Sequence, residues 1–321
     1  MEKLYTLRFS PWFRTMVWGG ERILPYKGVP GNLPKIGESW EISGYGEHLT
    51  LVDNGPLRGH SAPWLCAQYK EQLLGKHVYE AVGEDFPLLI KFIDAHSDLS
   101  IQVHPDDEMA RRVHGESFRG KTEMWYVIAT EPGAALYCGI KQEVTREEYQ
   151  RRVEDGTITD ILARYEVKPG DVFFLPPGRI HAICSGCLLA EIQQTSDLTY
   201  RIWDYGRLGL DGKPRQLHTD LALQAIDFRV LPTYKTSYQP RKDAPVELVS
   251  CKYFTTTLYD LTKPMDVDLD DSFLVVICVS GSGLVDGEHI RAGETLLVPA
   301  CRNAASCIPS SEGLKLLVSR C

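Results

Sequence analysis

Long hydrophobic runs are missing from this sequence: none of its segments approaches the roughly eighteen uncharged apolar residues that a membrane-spanning helix needs. A run of basic residues is missing too, and 35 Lys and Arg against 43 Asp and Glu give a formal charge of −8. We therefore expect neither a membrane nor a nucleic acid as partner. The amino terminus, MEKLYTLRFSPWF, lacks the apolar core of a signal peptide, so we expect a soluble, cytoplasmic protein.

A disulfide framework is also missing. The nine cysteines are an odd number scattered through 321 residues, which favours reduced thiols. Cys184 and Cys187 form a C-S-G-C pair, but no second pair completes four zinc ligands, and Gly186 indicates a tight turn. We interpret the two as ordinary turn cysteines.

Short strand-like segments dominate instead. The composition, 43% hydrophobic, 24% charged and 10% aromatic, is that of a folded protein. Segments rich in valine, isoleucine and aromatic residues alternate with Gly, Pro and Asp turns, which predicts an antiparallel β sandwich or barrel. The predicted strands include 86–92, 99–103, 123–129, 134–138, 172–175, 188–193 and 200–205.

Helical segments interrupt these strands. Thr145 and Glu148 have the spacing of a capping box, which predicts a helix that begins there and continues towards Arg164. Further helices are predicted over 63–74 and 218–226, with a short helical turn over 109–113.

A weak internal repeat suggests two related domains. Residues 170–178 read GDVFFLPPG and residues 293–301 read GETLLVPAC, each with a glycine, an apolar strand and a proline at the same spacing. Residues 230–245 between them are polar and contain prolines, as linkers often do. We therefore predict a first domain over 1–235, with helical insertions, and a second over 236–321.

The first copy of the repeat continues into a candidate metal site. From Gly170 to His181 it reads G-x5-P-x-G-x2-H, which resembles a cupin motif whose histidine binds a metal on a jelly-roll strand. Gln102 and His104 lie two apart in LSIQVHPDD, so on a strand both side chains share one face. Glu123 begins the strand-like EMWYVI. One amide, two imidazoles and one carboxylate suit zinc or iron.

The resemblance extends beyond the cupin frame to a particular family, the short bacterial form of type I phosphomannose isomerase. Seven segments carry it in order: WGG (18–20), GESWEIS (37–43), FPLLIK (86–91), LSIQVHPDD (99–107), GKTEMWY (120–126), PPGRIHA (176–182) and TYRIWDYGR (199–207). The resemblance implies a mainly β fold of cupin jelly-roll sandwiches with helical insertions. It also implies an enzyme that interconverts mannose 6-phosphate and fructose 6-phosphate with one zinc ion per chain.

Residue roles follow from the same resemblance. The family's metal ligands carry over onto Gln102, His104, Glu123 and His181. Its catalytic arginine carries over onto Arg201, while Ser100, Lys121 and Glu191 match pocket positions and give the substrate-binding set Ser100, Lys121 and Arg201. Isomerisation through an enediol needs an acid-base group and a stabiliser of oxyanion charge. Glu191 and Lys121 are both candidates for the base, and an arginine suits the anion.

The second domain is expected to be a degenerate, metal-free cupin. Cys301 and Ala304 stand where the first copy has Gly178 and His181, so the strand frame persists while the ligand is lost. Its expected role is to pack against the first domain.

Two competing functions remain open from the sequence. His104, Glu123 and His181 also form the two-histidine, one-carboxylate set of mononuclear iron oxygenases. A non-catalytic sugar-binding cupin needs no acid-base residue in its pocket. Arg201 has a competing interpretation as well, as a surface arginine paired with Asp197 or Asp204.

Overall fold

The computed structural model describes residues 2–321 as a mainly β protein, which confirms the predicted fold class. The first nine strands are Leu7–Ser10 (β1), Trp12–Gly20 (β2), Ile36–Ile42 (β3), Leu51–Val52 (β4), Leu88–Ala95 (β5), Ile101–Val103 (β6), Glu123–Thr130 (β7), Ala135–Ile140 (β8) and Leu162–Glu166 (β9). The remaining strands are Val172–Leu175 (β10), His181–Ile183 (β11), Cys187–Gln194 (β12), Tyr200–Trp203 (β13), Lys235–Thr236 (β14), Val246–Ser250 (β15), Thr255–Leu261 (β16), Met265–Asp268 (β17), Leu274–Val285 (β18), Glu288–Arg291 (β19), Thr295–Val298 (β20) and Ala304–Arg320 (β21).

Short helices connect these strands. They are Ile23–Lys27 (α1), Ala62–Tyr69 (α2), Glu71–Leu74 (α3), Lys76–Val82 (α4), Asp107–His114 (α5), Arg146–Glu154 (α6) and Thr219–Ala225 (α7), with a 3-10 turn at Ile158–Ile161. Within the described residues, no helix has the length and apolar character needed to cross a membrane.

Two antiparallel sheets form the sandwich that carries the candidate site. One has seven strands in the order β14-β10-β7-β12-β5-β2-β3, and the other has five in the order β13-β6-β11-β8-β9. Their shared core joins Trp125 and Leu189 of the larger sheet to Leu136 and Ile183 of the smaller one. Burial of these apolar faces against each other is the main force that holds the two sheets together.

A third sheet of nine strands occupies the carboxyl-terminal third and recruits two strands from the amino terminus. Its path is β15-β16-β21-β18-β20-β1-β4, with β17 beside β21 and β19 beside β18. Leu7 of β1 pairs with Leu297 of β20, and Phe9 pairs with Val52 of β4. The sheet therefore combines strands from both sides of the predicted boundary at residue 235, and that boundary stays a prediction.

The segment 230–245 packs against strands on both sides of it instead of crossing solvent, since Lys242 and Asp243 also contact Asp260 of β16. Lys235 and Thr236 pair with Phe173 and Val172 of β10. The buried Tyr234 donates its hydroxyl proton to the carbonyl of Ile140 at 2.8 Å. The linker interpretation missed these contacts because proline and polar residues are also common on edge strands.

The internal repeat corresponds to a structural one. Gly170 and Gly293 both have a positive φ, +91° and +85°, at the turn before strands β10 and β20. Each strand is followed by a proline-containing loop and a further strand, β11 in the first copy and β21 in the second. The glycines are needed there because a β-carbon disfavours this left-handed backbone.

The helix that Thr145 begins is shorter than predicted. Thr145 does cap it, accepting a hydrogen bond from the backbone of Glu148 at 3.1 Å, but the helix ends at Glu154. Gly156, at φ +69°, turns the chain out of the helix, and Leu162–Glu166 is a strand beside β8. The prediction of helix up to residue 164 is therefore wrong, because the Asp-Gly stop outweighs the downstream helix formers.

The other helices differ from their predictions in smaller ways. The helix predicted over 63–74 is two helices, α2 and α3, broken where Lys70 takes a positive φ of +48°. The turn predicted over 109–113 is the longer α5, since Asp106 accepts a hydrogen bond from the backbone of Met109 at 2.8 Å and caps it. Helix α7 lies within the predicted range 218–226.

Cys184 and Cys187 flank the turn between β11 and β12. Both thiols are free, and Gly186 between them has a φ of +86°. Burial raises the pKa of each thiol to about 12, so neither is a reactive thiolate at neutral pH. This geometry confirms the interpretation as turn cysteines.

Candidate active site

The candidate site lies between the two sandwich sheets, where two rows of side chains face each other. In the five-stranded sheet, Gln102 of β6 pairs with His181 of β11 on one side and with Arg201 of β13 on the other. Residues paired across neighbouring strands point to the same face of a sheet. The sheet register therefore sets a row of side chains on one face that runs from His181 through Gln102 to Arg201.

The seven-stranded sheet supplies the opposite row. Glu191 of β12 pairs with Lys91 of β5 and with Trp125 of β7, and all three are buried. Glu123 lies two residues before Trp125 on β7, so it shares that face of the sheet. The sandwich thus brings acids and bases together from strands that are distant in sequence.

Three of the predicted metal ligands form a compact buried group. One ligand atom from each of His104, Glu123 and His181 lies within 4.8 Å of the other two, and the described residues contain no other such group of three or more. The Nδ1 atom of His104 is 2.8 Å from the carbonyl of Leu198, and that of His181 is 2.8 Å from the carbonyl of Arg179. Both Nδ1 atoms therefore carry the proton, which leaves Nε2 of each ring as the free lone pair.

Glu123 completes the evidence that this group fits a cation. Its carboxylate is fully buried, and neither oxygen has a hydrogen bond of acceptable geometry. Its oxygens lie 3.3 Å from Nε2 of His181 and 3.5 Å from Nε2 of His104, while Nζ of Lys121 is an ionic neighbour at 2.6 Å. The Lys121 ammonium also lies 3.4 Å from Nε2 of His104, so it supplies one positive charge to this set of a carboxylate and two imidazole lone pairs. A divalent cation fits the same set of electron donors.

Gln102 lies beside this group. Its side-chain amide nitrogen is 3.3 Å from Nε2 of His181, and its amide oxygen accepts a 3.3 Å hydrogen bond from Ser100. A half-turn of the amide exchanges its oxygen and nitrogen without moving the rest of the side chain. The oxygen then faces His181, so the fourth predicted ligand is in reach of the same centre.

The charges of the site are strongly coupled. Burial would raise the pKa of Glu123, but Lys121 and the histidines outweigh it and hold that pKa well below its ordinary value. Burial lowers the pKa of His104, and it lowers the pKa of His181 to about 3, so both rings are neutral at pH 7. Neutral imidazoles and an ionised carboxylate are the forms that bind metal.

Lys121 and Glu191 form a second coupled pair next to the first. Burial would lower the pKa of Lys121, but Glu123 and Glu191 outweigh it and raise that pKa. Burial raises the pKa of Glu191, although Lys121 at 3.7 Å opposes the shift. Lys121 therefore stays charged, whereas Glu191 is the more easily protonated of the two carboxylates.

A cavity of about 260 Å³ lies next to this group, because Gln102, which contacts His181, and Lys121, which contacts Glu123, both line it. Ser100, Gln102, Lys121, Glu191 and Arg201 all line it, so the structure brings these predicted site residues together. The structure adds further lining residues that the sequence did not indicate as functional: Arg14, Glu38, Lys91, Asp197, Thr199 and Arg215.

Arg201 belongs to this cavity and not to a surface ion pair. It donates from Nε to the hydroxyl of Ser100 at 3.3 Å and from Nη1 to the carbonyl of Gln216 at 2.7 Å. Within residues 2–321 it makes no salt bridge with Asp197 or Asp204. The alternative that paired Arg201 with one of them is therefore wrong.

Lys91 carried a signal that sequence reasoning missed. It is a charged residue at the end of the apolar run FPLLIK, and its side chain is only 3% exposed. Its ammonium lies 3.5 Å from Glu191 and from Asp197 and 4.7 Å from the ring centre of Trp40. A lysine within a buried strand indicates a functional cluster. Arg215 lies in a loop and carried no comparable signal.

Comparison with known proteins identifies the family. The pattern of the type I phosphomannose isomerase catalytic domain matches residues 7–124. Mannose-6-phosphate isomerase ManA of Bacillus subtilis is 33% identical over 299 residues, which cover 91% of this chain and 92% of ManA. The chain belongs to the type I phosphomannose isomerase family. The probable mannose-6-phosphate isomerase GmuF of the same organism is 34% identical over 92% of this chain and 94% of its own.

Two solved structures share the whole fold of this chain. The crystal structure of the mannose 6-phosphate isomerase from Bacillus subtilis matches with a TM-score of 0.87 at 31% identity and covers 98% of this chain and 99% of its own. A putative mannosephosphate isomerase from Archaeoglobus fulgidus matches with a TM-score of 0.80 at 23% identity, over 99% and 98% of the two chains. At this lower identity, the match to the Archaeoglobus fulgidus protein shows only that the fold is shared.

Proposed function

We propose that this protein interconverts mannose 6-phosphate and fructose 6-phosphate, with one zinc ion per chain held by Gln102, His104, Glu123 and His181. The observation that supports this proposal is the buried group of His104, Glu123 and His181, with Gln102 between it and a cavity lined by basic side chains. The chain also matches a mannose-6-phosphate isomerase over 91% of its own length and 92% of that relative. Two imidazoles with a carboxylate and an amide suit zinc.

The residues around the cavity supply the parts that isomerisation needs. The reaction moves a proton between C1 and C2 of the sugar through an enediol. A zinc ion, when bound, polarises the oxygens on those two carbons. Glu191 takes the proton from one carbon and returns it to the other, because its carboxylate lines the cavity and Trp125 fixes it through a 2.9 Å hydrogen bond.

Two permanent charges stabilise the anion that forms. Lys121, whose raised pKa keeps it protonated, lies between Glu123 and Glu191. Arg201 is preorganised by Ser100 and by the carbonyl of Gln216, so its guanidinium needs no reorientation when negative charge develops on the substrate.

The second domain, over 236–321, acts in this proposal as a metal-free packing partner of the catalytic domain over 1–235. The core around Leu7 and Phe9 supports this role, because it continues into Val275 and Leu317. A cytoplasmic location belongs to the same proposal.

A coupled assay with mannose 6-phosphate, before and after chelation, tests substrate and metal together. We expect isomerisation that chelation abolishes and that zinc restores, with one zinc per chain by metal analysis. Turnover that requires dioxygen and iron would favour an oxygenase. Binding of the sugar phosphate without exchange of its C2 hydrogen would favour a non-catalytic sugar-binding cupin.

A further inference from the structure

Most of the basic side chains that line the cavity are neutralised by carboxylates at the site. Arg14 contacts Asp197 at 3.2 Å, Lys91 contacts Glu191 at 3.5 Å, and Lys121 lies between two carboxylates. Arg201 and Arg215 differ, because neither forms a salt bridge, within the described chain, with a carboxylate that lines the cavity. At the end of the cavity where Arg201 and Arg215 lie, no carboxylate that lines the cavity neutralises their positive charges.

The two arginines are neighbours at this end. Arg201 donates from Nη1 to the carbonyl of Gln216, the residue that follows Arg215. Burial lowers the pKa of Arg201, and the charge of Arg215 lowers it further, as expected for two cations held close together. An anion placed between two guanidinium groups relieves such repulsion.

Asp204, which lies outside the cavity lining, fixes the orientation of Arg215. Its carboxylate, which is almost fully buried, accepts hydrogen bonds from Nε and Nη2 of Arg215 at 2.6 Å and 2.5 Å. Nη1 of Arg215 makes no hydrogen bond within residues 2–321, and Asp204 itself does not line the cavity. The Nε and Nη2 edge of the guanidinium thus orients Arg215, and Nη1 is left to donate to a ligand.

The position of Arg215 relative to the metal group decides which part of a substrate it meets. The row from His181 through Gln102 to Arg201 leads away from the metal group, and Arg215 lies beside Arg201 at the far end. In a hexose 6-phosphate, C1 and C2 react while the phosphate is on C6, at the opposite end of the sugar. A substrate with its reacting carbons at the metal group places its phosphate towards Arg215.

We propose that Arg215, positioned by Asp204, binds the phosphate of the sugar phosphate and selects phosphorylated over free sugars. This inference rests on the proposed function, since it takes the reacting carbons to lie at the metal group. A guanidinium matches two oxygens of a phosphate dianion at once, which a lysine does not do.

Arg207 offers a matched control. It also donates to Asp204, from Nε at 2.9 Å, and to the carbonyl of Asp98, but it does not line the cavity. Arg207→Gln and Arg215→Gln each remove one guanidinium from the same carboxylate. Only the second removes a charge from the cavity.

Steady-state kinetics of the metal-loaded enzyme test the proposal. Loss of one charge-assisted contact to phosphate should raise the KM for mannose 6-phosphate and the inhibition constant of inorganic phosphate by roughly tenfold to a hundredfold in Arg215→Gln. We expect kcat to stay within about threefold, turnover of unphosphorylated mannose to be unchanged, and Arg215→Lys to recover part of the loss. Arg207→Gln should leave the KM within about twofold.

Other results would overturn the assignment. A KM in Arg215→Gln equal to that of the wild type does so, as does a parallel loss of activity on free mannose in a variant with an unchanged melting temperature. If the wild type does not isomerise mannose 6-phosphate, the proposed function fails, and calorimetric titration with inorganic phosphate still decides the role of Arg215. Tenfold weaker phosphate binding by Arg215→Gln supports that role, and equal binding overturns it.

Discussion

His181 and Ala304 begin equivalent strands, β11 and β21, in the two halves of the internal repeat. Each strand follows a four-residue strand, β10 or β20, that begins two residues after a glycine with positive φ. The backbone frame has thus been kept in both halves, while the imidazole is present only in the first. A methyl group cannot replace a metal ligand, which agrees with the packing role that we propose for the second half.

We predict one divalent metal ion per chain, bound outside the carboxyl-terminal domain. The variant in which His104 and His181 are both replaced by alanine should contain less than about a tenth of the wild-type metal, since no cluster of comparable ligands exists elsewhere in residues 2–321. Elemental analysis of the purified protein after dialysis gives the stoichiometry. Metal bound among residues 270–310 of the full chain, detected as protection of those side chains from chemical labelling, would contradict the prediction.

The single substitutions His104→Ala and His181→Ala should each yield a metal-poor, inactive enzyme. Each substitution removes from the buried site an imidazole whose Nε2 lone pair is free to bind metal. In each ring, the hydrogen bond from Nδ1 to a backbone carbonyl fixes the orientation of that lone pair. His289→Ala is the control, because His289 is exposed and lies outside the group. Zinc content and turnover are measured on the same preparations. Full zinc content together with full activity in either variant would remove that residue from the ligand set.

The candidate metal ligands could be predicted because their spacing contains much of the geometry. Gln102 lies on β6 and His104 directly follows that strand, and the glycine-proline frame before His181 specifies a turn and a strand. Sequence spacing did not give the pairing of β6 with both β11 and β13, because long-range register depends on how apolar faces pack. That pairing is what places Arg201 beside Gln102.

Arg201→Ala should keep metal and fold but lose about a hundredfold to a thousandfold in turnover. Its guanidinium is fixed by Ser100 and Gln216 at the cavity, so it serves as a preorganised donor for a developing anion. Arg201→Lys should recover only part of this rate, since one ammonium cannot reproduce the planar donor array. Arg229→Ala, which removes an exposed arginine paired with Asp227, is the control for charge loss. Near-normal turnover in Arg201→Ala would contradict a catalytic role.

Residues that act through tertiary contacts were not visible in the sequence. Arg215 is in a polar loop between β13 and α7, where arginine is ordinary, and only the fold brings it to the cavity. Trp125 reads as a core residue of an apolar strand, yet its indole nitrogen fixes Glu191. Such roles depend on which groups converge in space, and local residue patterns do not report that convergence.

Asp204 should stabilise the fold in a pH-dependent manner. Burial would raise its pKa, but hydrogen bonds from Arg215 and Arg207 outweigh it and hold that pKa below 3.8. A carboxylate with a depressed pKa in the folded state contributes stability above its unfolded pKa, and that contribution is lost as pH falls through its folded pKa.

Asp204→Asn should therefore lower the free energy of unfolding by about 3 kcal/mol at pH 7, the usual cost of breaking a buried ion pair. The difference from wild type should shrink as the pH falls below 3.8. Thermal melts across this range measure it. Asp227→Asn, which breaks the exposed pair with Arg229, should cost less than about 1 kcal/mol. A difference for Asp204→Asn that does not change with pH would contradict the ionic origin.

Gly75→Ala should destabilise the contact between the helical insertion and the carboxyl-terminal sheet. Gly75 joins α3 to α4 at φ +90°, and a β-carbon added there would lie 1.7 Å from the backbone oxygen of Asp271. Backbone strain and overpacking together should cost about 3 kcal/mol or more.

Gly83→Ala separates the two causes, because Gly83 also has a positive φ, +68°, but no atom lies within 4 Å of its added β-carbon. The control should cost about 1 to 3 kcal/mol from the backbone alone, because Gly83 at φ +68° and ψ −132° lies in a region that residues with a β-carbon rarely adopt. The melting temperature of Gly75→Ala should therefore lie below that of Gly83→Ala, and equal melting temperatures would show that the close approach to Asp271 relaxes without cost.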